Sequence, residues 1–247
     1  MRNFKLILEY DGTGFNGWQV QSQGERTVQG EIQKVLFQIF KHKVVVIASG
    51  RTDAGVHALG QVINFKVRSR MSPLEVQRAM TAFLPTDIVI KNAEDVDPAF
   101  HAQHEARSKT YRYTILNRKY SSAKERNFCH FYPHRMNLSR MRKEAKTLVG
   151  RKDFKSFEAA DHQRAKHSTV RAIKRVDIRK KNDWVTIDIE ADGFLYKMVR
   201  NIVGTLLDAG SGRLPKGEIK SILTKKDRCL AGQTAEPQGL CLLQVKY

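Results

Sequence analysis

Apolar residues return at every second position at the start of the chain, in Phe4, Leu6, Leu8 and Tyr10. That is the period of a half-buried strand, and the run ends at Asp11-Gly12, a loop signal. From Thr27 the spacing becomes helical. Val28, Ile32, Val35, Leu36 and Ile39 share one face, with Thr27 as N-cap. Residues 44–47 then read as an apolar, β-branched strand. Val62, Ile63 and Phe65 indicate another strand, Ser72-Pro73 opens a helix carrying Leu74, Val76, Met80 and Phe83, and Ile88, Val89 and Ile90 form a strand after Pro85.

A second unit begins after Ala106. It has a strand over residues 110–116, an irregular basic stretch through Pro133, and a helix over residues 139–148 on Met141, Ala145 and Leu148. Residues 170–178 and 185–189 alternate as strands joined through Lys181-Asn182-Asp183, residues 194–207 read as a long apolar helix, and residues 240–245 close as a strand. No repeat is visible in the residues themselves. The order of elements predicts an α+β chain in two related halves, residues 1–105 and 106–247.

A length of 247 residues allows a core that needs neither disulfides nor metal. Charge says more. Lysine and arginine number 44 against 25 acidic residues, a formal charge of +19, so the expected partner is a polyanion. The cations recur along the chain, as in Arg171, Lys174, Arg175, Arg179, Lys180 and Lys181, so no detachable basic tail accounts for them. The plain alternative is a solvated surface, although counterion release makes such a surface bind phosphate backbones in any case. Cys129, Cys229 and Cys241 are odd in number and widely spaced, which argues against a disulfide framework or a thiolate zinc site and for a reducing compartment. The apolar run Leu6-Ile7-Leu8 is far too short for a signal or a span, so the expectation is a cytoplasmic protein with no membrane partner.

Several motifs can be weighed and set aside. Gly12-Thr13-Gly14-Phe15-Asn16-Gly17 matches GxGxxG after a strand, but a dinucleotide site needs the helix to start on those glycines, and here it waits until Thr27. His101 and His104 have no cluster of carboxylates or cysteines beyond Glu105 to complete a metal site. No GxSxG, P-loop, HExxH or zinc-deaminase pattern occurs. The segment that carries chemistry is Ala48-Ser49-Gly50-Arg51-Thr52-Asp53-Ala54-Gly55-Val56-His57-Ala58. It places an acid beside an arginine, bracketed by glycines, at a strand end. Composition alone leaves a plain turn with an exposed ion pair equally open.

The stretch from Gly50 to Ala58 resembles the GRTDxGVHA hallmark of the TruA family of tRNA pseudouridine synthases. The resemblance extends to Tyr10-Asp11-Gly12-Thr13 with Phe15, Gly17, Trp18, Gln19 and Gln21, and to Lys109-Thr110-Tyr111-Arg112-Tyr113. It continues through Asp153-Phe154 with Phe157, Phe194-Leu195, Met198-Val199-Arg200-Asn201-Ile202-Val203-Gly204, and Gly239-Leu240 with Leu242. Two departures stand out. Ala102-Gln103 occupies the place of the family's Ala-Arg, and residues 161–169 lack its Ser-Pro before Val170-Arg171.

The resemblance implies two α/β-sandwich domains of RRM or ferredoxin-like type, with joined antiparallel sheets and an active cleft between them. It also implies a homodimer acting on the anticodon stem-loop of tRNA, at positions 38–40, with neither cofactor nor metal. Asp53 is by resemblance the catalytic carboxylate, either attacking ribose C1′ or removing a C2′ proton. Arg200 is its cationic partner, Tyr111 stacks on the target base, Arg51 assists its extrusion, and Leu240 packs below it. Tyr113, two residues along the same strand, reads as core. A non-catalytic RNA-binding protein on this scaffold and an oxidoreductase using the glycine loop are the competing readings.

Overall fold

The opening alternation does what its period dictates. In the computed structural model, which describes residues 1–21, 24–160 and 168–247, strand β1 (Arg2–Tyr10) buries Phe4, Leu6, Leu8 and Tyr10 while Lys5, Ile7 and Glu9 stay half-exposed. The chain divides into two compact units, Met1–Arg107 with Cys241–Tyr247, and Ser108–Leu240.

In the first unit β1 is followed by α1 (Val28–Phe40), β2 (Val46–Ala48), β3 (His57–Val67), α2 (Pro73–Phe83) and β4 (Ile88–Val96). The strands stand in the order β4-β1-β3, with β2 also on β3, and all these pairs are antiparallel. This is the split βαβ arrangement. Thr27 caps α1 by accepting from the Gly30 amide at 3.3 Å, and Val28, Ile32, Val35 and Leu36 are buried as their spacing requires. A capping box of Ser72 and Glu75, with Pro73 in the first turn, starts α2. Only Val76 and Met80 of its apolar set are buried, and Leu74 and Phe83 face solvent. The buried stripe is therefore narrower than the spacing suggests.

The second unit carries β5 (Ser108–Leu116), β6 (His130–Phe131), α3 (Leu138–Lys146), β7 (Gly150–Asp153), β8 (Val170–Lys181), β9 (Trp184–Ala191), α4 (Met198–Ser211) and α5 (Glu218–Lys225). Its sheet runs β5-β9-β8-β7 in antiparallel pairs, and β6 lies parallel to β5. A two-residue turn at Asn182-Asp183 joins β8 to β9, with Asn182 at φ 53° as such a hairpin requires. Helix α3 packs on β8 and α4, enclosing Met141, Ile178, Ile187, Ile202 and Leu206.

Helix α4 starts at Met198, four residues later than the apolar run from Phe194 predicts. Lys197 is in the left-handed region at φ 55°, which no helix interior accommodates. The residues before it therefore form a turn, and that turn positions Phe194.

The chain's last strand, β10 (Leu240–Lys246), pairs in parallel with β3, Cys241 against His57 and Leu242 against Ala58. Its residues from Cys241 onward thus belong to the first unit, although the sequence order puts them in the second half. Among the described residues no helix is long and apolar enough to cross a membrane.

Candidate active site

Asp53 sits in the loop between β2 and β3, half-buried. Backbone bonds hold this loop on both sides. Thr52 O accepts from the Trp18 amide at 3.0 Å, Asp53 O from the Val56 amide at 3.2 Å, and Phe15 O from the Gly55 amide at 3.3 Å. Gly55 turns the chain at φ 75°. Arg51, two residues before the acid, is exposed and makes no hydrogen bond or ion pair with the described residues. Its guanidinium is therefore available to a phosphate or a base.

Gly12 and Gly17 serve this loop rather than a nucleotide. A Cβ on Gly12 would lie 2.1 Å from Val56 O, and one on Gly17, at φ 87°, would lie 2.9 Å from Thr52 O. The two loops are thus pressed backbone to backbone, closer than any side chain permits. Helix α1 does not begin on these glycines, so the dinucleotide reading fails for the reason its spacing indicates. Phe15 and Trp18 are buried beneath the junction, with Trp18 against Tyr10 at 6.3 Å between ring centroids. The Gly12 amide donates to His57 Nδ1 at 3.0 Å, so that nitrogen is an acceptor. Asp11 Oδ1, 3.2 Å from it, instead takes the Thr13 amide and hydroxyl at 2.9 and 2.6 Å.

The second unit gathers the other expected site residues on one face. Tyr111 and Tyr113 are two apart on β5 and so project to the same side. Arg112, between them, projects to the other side and forms a bidentate pair with Asp188 at 2.7 and 2.8 Å. Tyr111 is buried edge-on against Phe194, centroids 5.1 Å apart and rings at 88°. Tyr113 is fully buried and donates to Glu236 O at 2.8 Å, with His130 Nδ1 also at 2.8 Å. Burial raises its hydroxyl well above the usual phenol range, with the nearby Arg200 charge opposing, so it remains neutral.

Arg200 occupies the first turn of α4 and is clasped by residue 235 in both directions. Its Nε donates to Ala235 O at 2.7 Å, and the Ala235 amide donates to Arg200 O at 3.1 Å. Its neighbour Asn201 is fully buried, donating to Phe157 O at 2.8 Å and accepting from Arg228 and Thr234 at 3.0 and 2.7 Å. The same segment leads through the 3-10 turn Pro237–Gly239 to Leu240. A Cβ on Gly239 would lie 2.7 Å from the Tyr113 ring, so this segment is seated on the tyrosine face. Leu240 itself is buried, one residue before Cys241, the register partner of His57.

Two residues emerge that the sequence reading did not single out. Gln61 is fully buried in β3 and bonded to the Asp53 loop. An amide directly before the apolar pair Val62-Ile63 was its visible signal. Lys109 lies on β5 beside the tyrosine face, and burial, with the Arg171 charge adding to it, lowers its ammonium to about 8. The His101 ring accepts from the Gln103 and His104 amides at 3.3 Å, and the His101 amide donates to Glu105 at 2.7 Å. The His101 ring is thereby occupied in a local turn. Gln103 is exposed there. Of the stretch lacking Ser-Pro, residues 161–167 lie outside the described residues.

The sequence pattern of the tRNA pseudouridine synthases matches residues 6–105 and 145–247 of this chain. The chain belongs to this family. It is 43% identical over 247 residues to tRNA pseudouridine synthase A of a Thermoanaerobacter species, with all of both chains covered. It is 42% identical over 247 residues to tRNA pseudouridine synthase A of Caldicellulosiruptor bescii, again over both full lengths. Among solved structures, a chain in the crystal structure of the archaeal box H/ACA sRNP Nop10-Cbf5 complex aligns with a TM-score of 0.35. It shares 13% identity and covers 83% of this chain and 43% of that one.

A pseudouridine synthase is an isomerase, and that requirement gives the two assemblies their chemical sense. A half-buried carboxylate on a loop with a fixed backbone is suited to one directed attack or proton removal. A buried tyrosine flanked by an aromatic edge, an arginine with its Nε already committed, and a buried leucine are suited to holding a planar base.

Proposed function

We propose that this pseudouridine synthase converts uridine to pseudouridine in the anticodon stem-loop of tRNA, at positions 38–40, with Asp53 as the catalytic carboxylate. The observation that carries the proposal is the setting of Asp53. It is the acid in a loop whose backbone is pinned before and after it by Thr52 O and Val56 N, with Arg51 exposed beside it.

The reaction breaks the C1′–N1 bond, turns the uracil and joins C1′ to C5. C5 loses a proton and N1 gains one, so atoms and electrons balance without oxidant, reductant or group donor. Asp53 supplies the electron pair, either to C1′ as nucleophile or to a C2′ proton as base. Arg200 offers a positive charge to complement that carboxylate. Tyr111 stacks on the detached uracil while it turns, Leu240 packs below it, and Arg51 assists its extrusion from the stem, a step that costs a few kcal/mol of stacking. The enzyme acts as a homodimer, and a net charge of +19 gives it the electrostatic affinity for tRNA that the reaction needs.

The direct test is incubation of purified protein with unmodified tRNA transcripts, followed by chemical mapping of pseudouridine. Modification at one or more of positions 38–40 is the expected result, and none at any uridine overturns the proposal. Tyr111→Phe is expected to retain turnover within about threefold, because stacking uses the ring. Tyr111→Ala is expected to lose about 1–3 kcal/mol of stacking and so roughly 5- to 150-fold in kcat. Equal rates for the two variants in single-turnover assays would take Tyr111 out of the base pocket. Affinity for tRNA should fall more than about tenfold between 50 and 200 mM salt, and a flat titration would contradict the electrostatic footing.

A further inference from the structure

Among the buried polar side chains of the first unit are two, Gln61 and Tyr10, to which the chemistry above assigns no task. Gln61 is 0% exposed in the middle of β3, and Tyr10 is 2% exposed at the end of β1. Both reach the segment that leads into Asp53. Gln61 Oε1 accepts from Ser49 Oγ at 2.7 Å, and Gln61 Nε2 donates to Gly50 O at 2.8 Å. Gln61 Nε2 also faces the Tyr10 hydroxyl at 3.5 Å, and that hydroxyl lies 2.8 Å from Thr52 Oγ1. Ser49, Gly50 and Thr52 are therefore all held from below, and only Arg51, the exposed residue of the four, is left to solvent.

The chemistry of the groups orders this network. Gly50 O can only accept, so the amide nitrogen of Gln61 must face it and the amide oxygen must face Ser49. The second N–H of Gln61 then points at the Tyr10 oxygen, and the Tyr10 and Thr52 hydroxyls share one hydrogen bond that either can donate. Substituting one member disturbs the rest, as expected of a buried network whose groups have no water to turn to.

We propose that Gln61 and Tyr10 are positioning residues for the isomerisation, fixing the backbone of residues 49–52 and through it the aim of the Asp53 carboxylate at the ribose. The proposal rests on the reading of Asp53 as the catalytic acid. Misplacement of a reacting group by about 1 Å can cost about 10²-fold in rate, whereas a buried hydroxyl contributes to folding only at the level of a single hydrogen bond. The two roles thus predict different ratios of lost rate to lost stability. Burial pushes the Tyr10 hydroxyl well above the usual phenol range, outweighing its bonds to Thr52 and Gln61. It therefore transmits orientation and does not donate a charge.

The test is single-turnover pseudouridine formation on an unmodified tRNA transcript at saturating enzyme, with tRNA Kd and Tm measured on the same preparations. The set is wild type, Asp53→Asn, Tyr10→Phe, Thr52→Ser, Thr52→Val and the Tyr10→Phe, Thr52→Val double variant. Tyr10→Phe and Thr52→Val are each expected to slow the saturated rate about 10- to 100-fold with Kd unchanged within about threefold. Thr52→Ser, which keeps the hydroxyl, should recover most of the rate. The Tyr10→Phe, Thr52→Val double variant should be little slower than either single one, because both break the same bond.

Wild-type saturated rates in Tyr10→Phe and Thr52→Val, whatever their Tm, would overturn the positioning role. So would a Thr52→Ser rate as low as that of Thr52→Val. If Tyr10→Phe does not fold, the Thr52 pair decides alone. An active Asp53→Asn, or an inactive wild type, is a different failure: it removes the reading of Asp53 and the positioning role with it.

Discussion

Asp53→Asn is expected to lower pseudouridine formation by at least about 10³-fold, roughly 4 kcal/mol on the barrier, while tRNA affinity stays within about tenfold. The amide has nearly the shape of the acid but cannot serve as nucleophile toward C1′ or as base toward C2′. The bonds that hold the loop's backbone, from Trp18 N to Thr52 O, from Gln61 to Gly50 O and from Val56 N to Asp53 O, are untouched by the change. Binding draws on charge spread over 44 lysines and arginines, so one carboxylate matters little to it. Single-turnover assays with saturating enzyme separate the two effects, because a weaker Kd cannot then lower the rate. A rate above about a tenth of wild type would show that the bond is broken by some other group. Asp53→Ala should behave alike in rate. The comparison of the two reveals how far the side chain's size, apart from its charge, supports the loop.

What could be read from the residues divides along physical lines. Local rules were legible. The period-two pattern of β1, the Thr27 cap and the helix start at Ser72-Pro73 each appear where the sequence puts them, because each depends on neighbours within one turn or one strand. The start of α4 was not legible, since Phe194 and Leu195 carry the apolarity of a helix while Lys197 adopts a backbone angle that no pattern of hydrophobicity encodes. Strands β6 and β7, two and four residues long, are too short to show a period. The pairing of β10 with β3 joins residues far apart in the chain, and alternation says which face of a strand is buried but never against which partner.

The candidate site followed the same division. Arg51 and Asp53 share one loop and were named from one stretch of residues. Tyr111, Arg200 and Leu240 are spread over more than a hundred positions, and only the fold shows how Tyr113, Ala235 and the turn at Pro237–Gly239 bring them to one face. Gln61 shows the remaining gap. A polar residue in an apolar run signals a buried partner, but the partners Ser49, Gly50 and Tyr10 could not be named before the strands were paired.

The glycine loop supports the sharpest structural contrast in the molecule. Gly12→Ala places a methyl carbon 2.1 Å from Val56 O, a backbone atom with no room to yield, whereas the nearest atom to a Cβ on Gly14 is the tip of the Arg26 side chain at 3.1 Å. Gly12→Ala is therefore expected to cost on the order of 3 kcal/mol, lowering Tm by roughly 6–12 °C. It should also slow the reaction at least about tenfold even well below Tm, because the clash is relieved by pushing away the strand entry that follows Asp53. Gly14→Ala should change Tm by less than about 2 °C and leave the rate within about twofold, since the Arg26 guanidinium, held by Asp87 and over Phe15, is a side-chain end that need yield only a few tenths of an ångström. Thermal melts of the two variants without RNA, followed by single-turnover rates at a temperature where both are folded, decide the matter. Equal Tm values for the two variants would mean that the glycine loop does not brace the Asp53 loop.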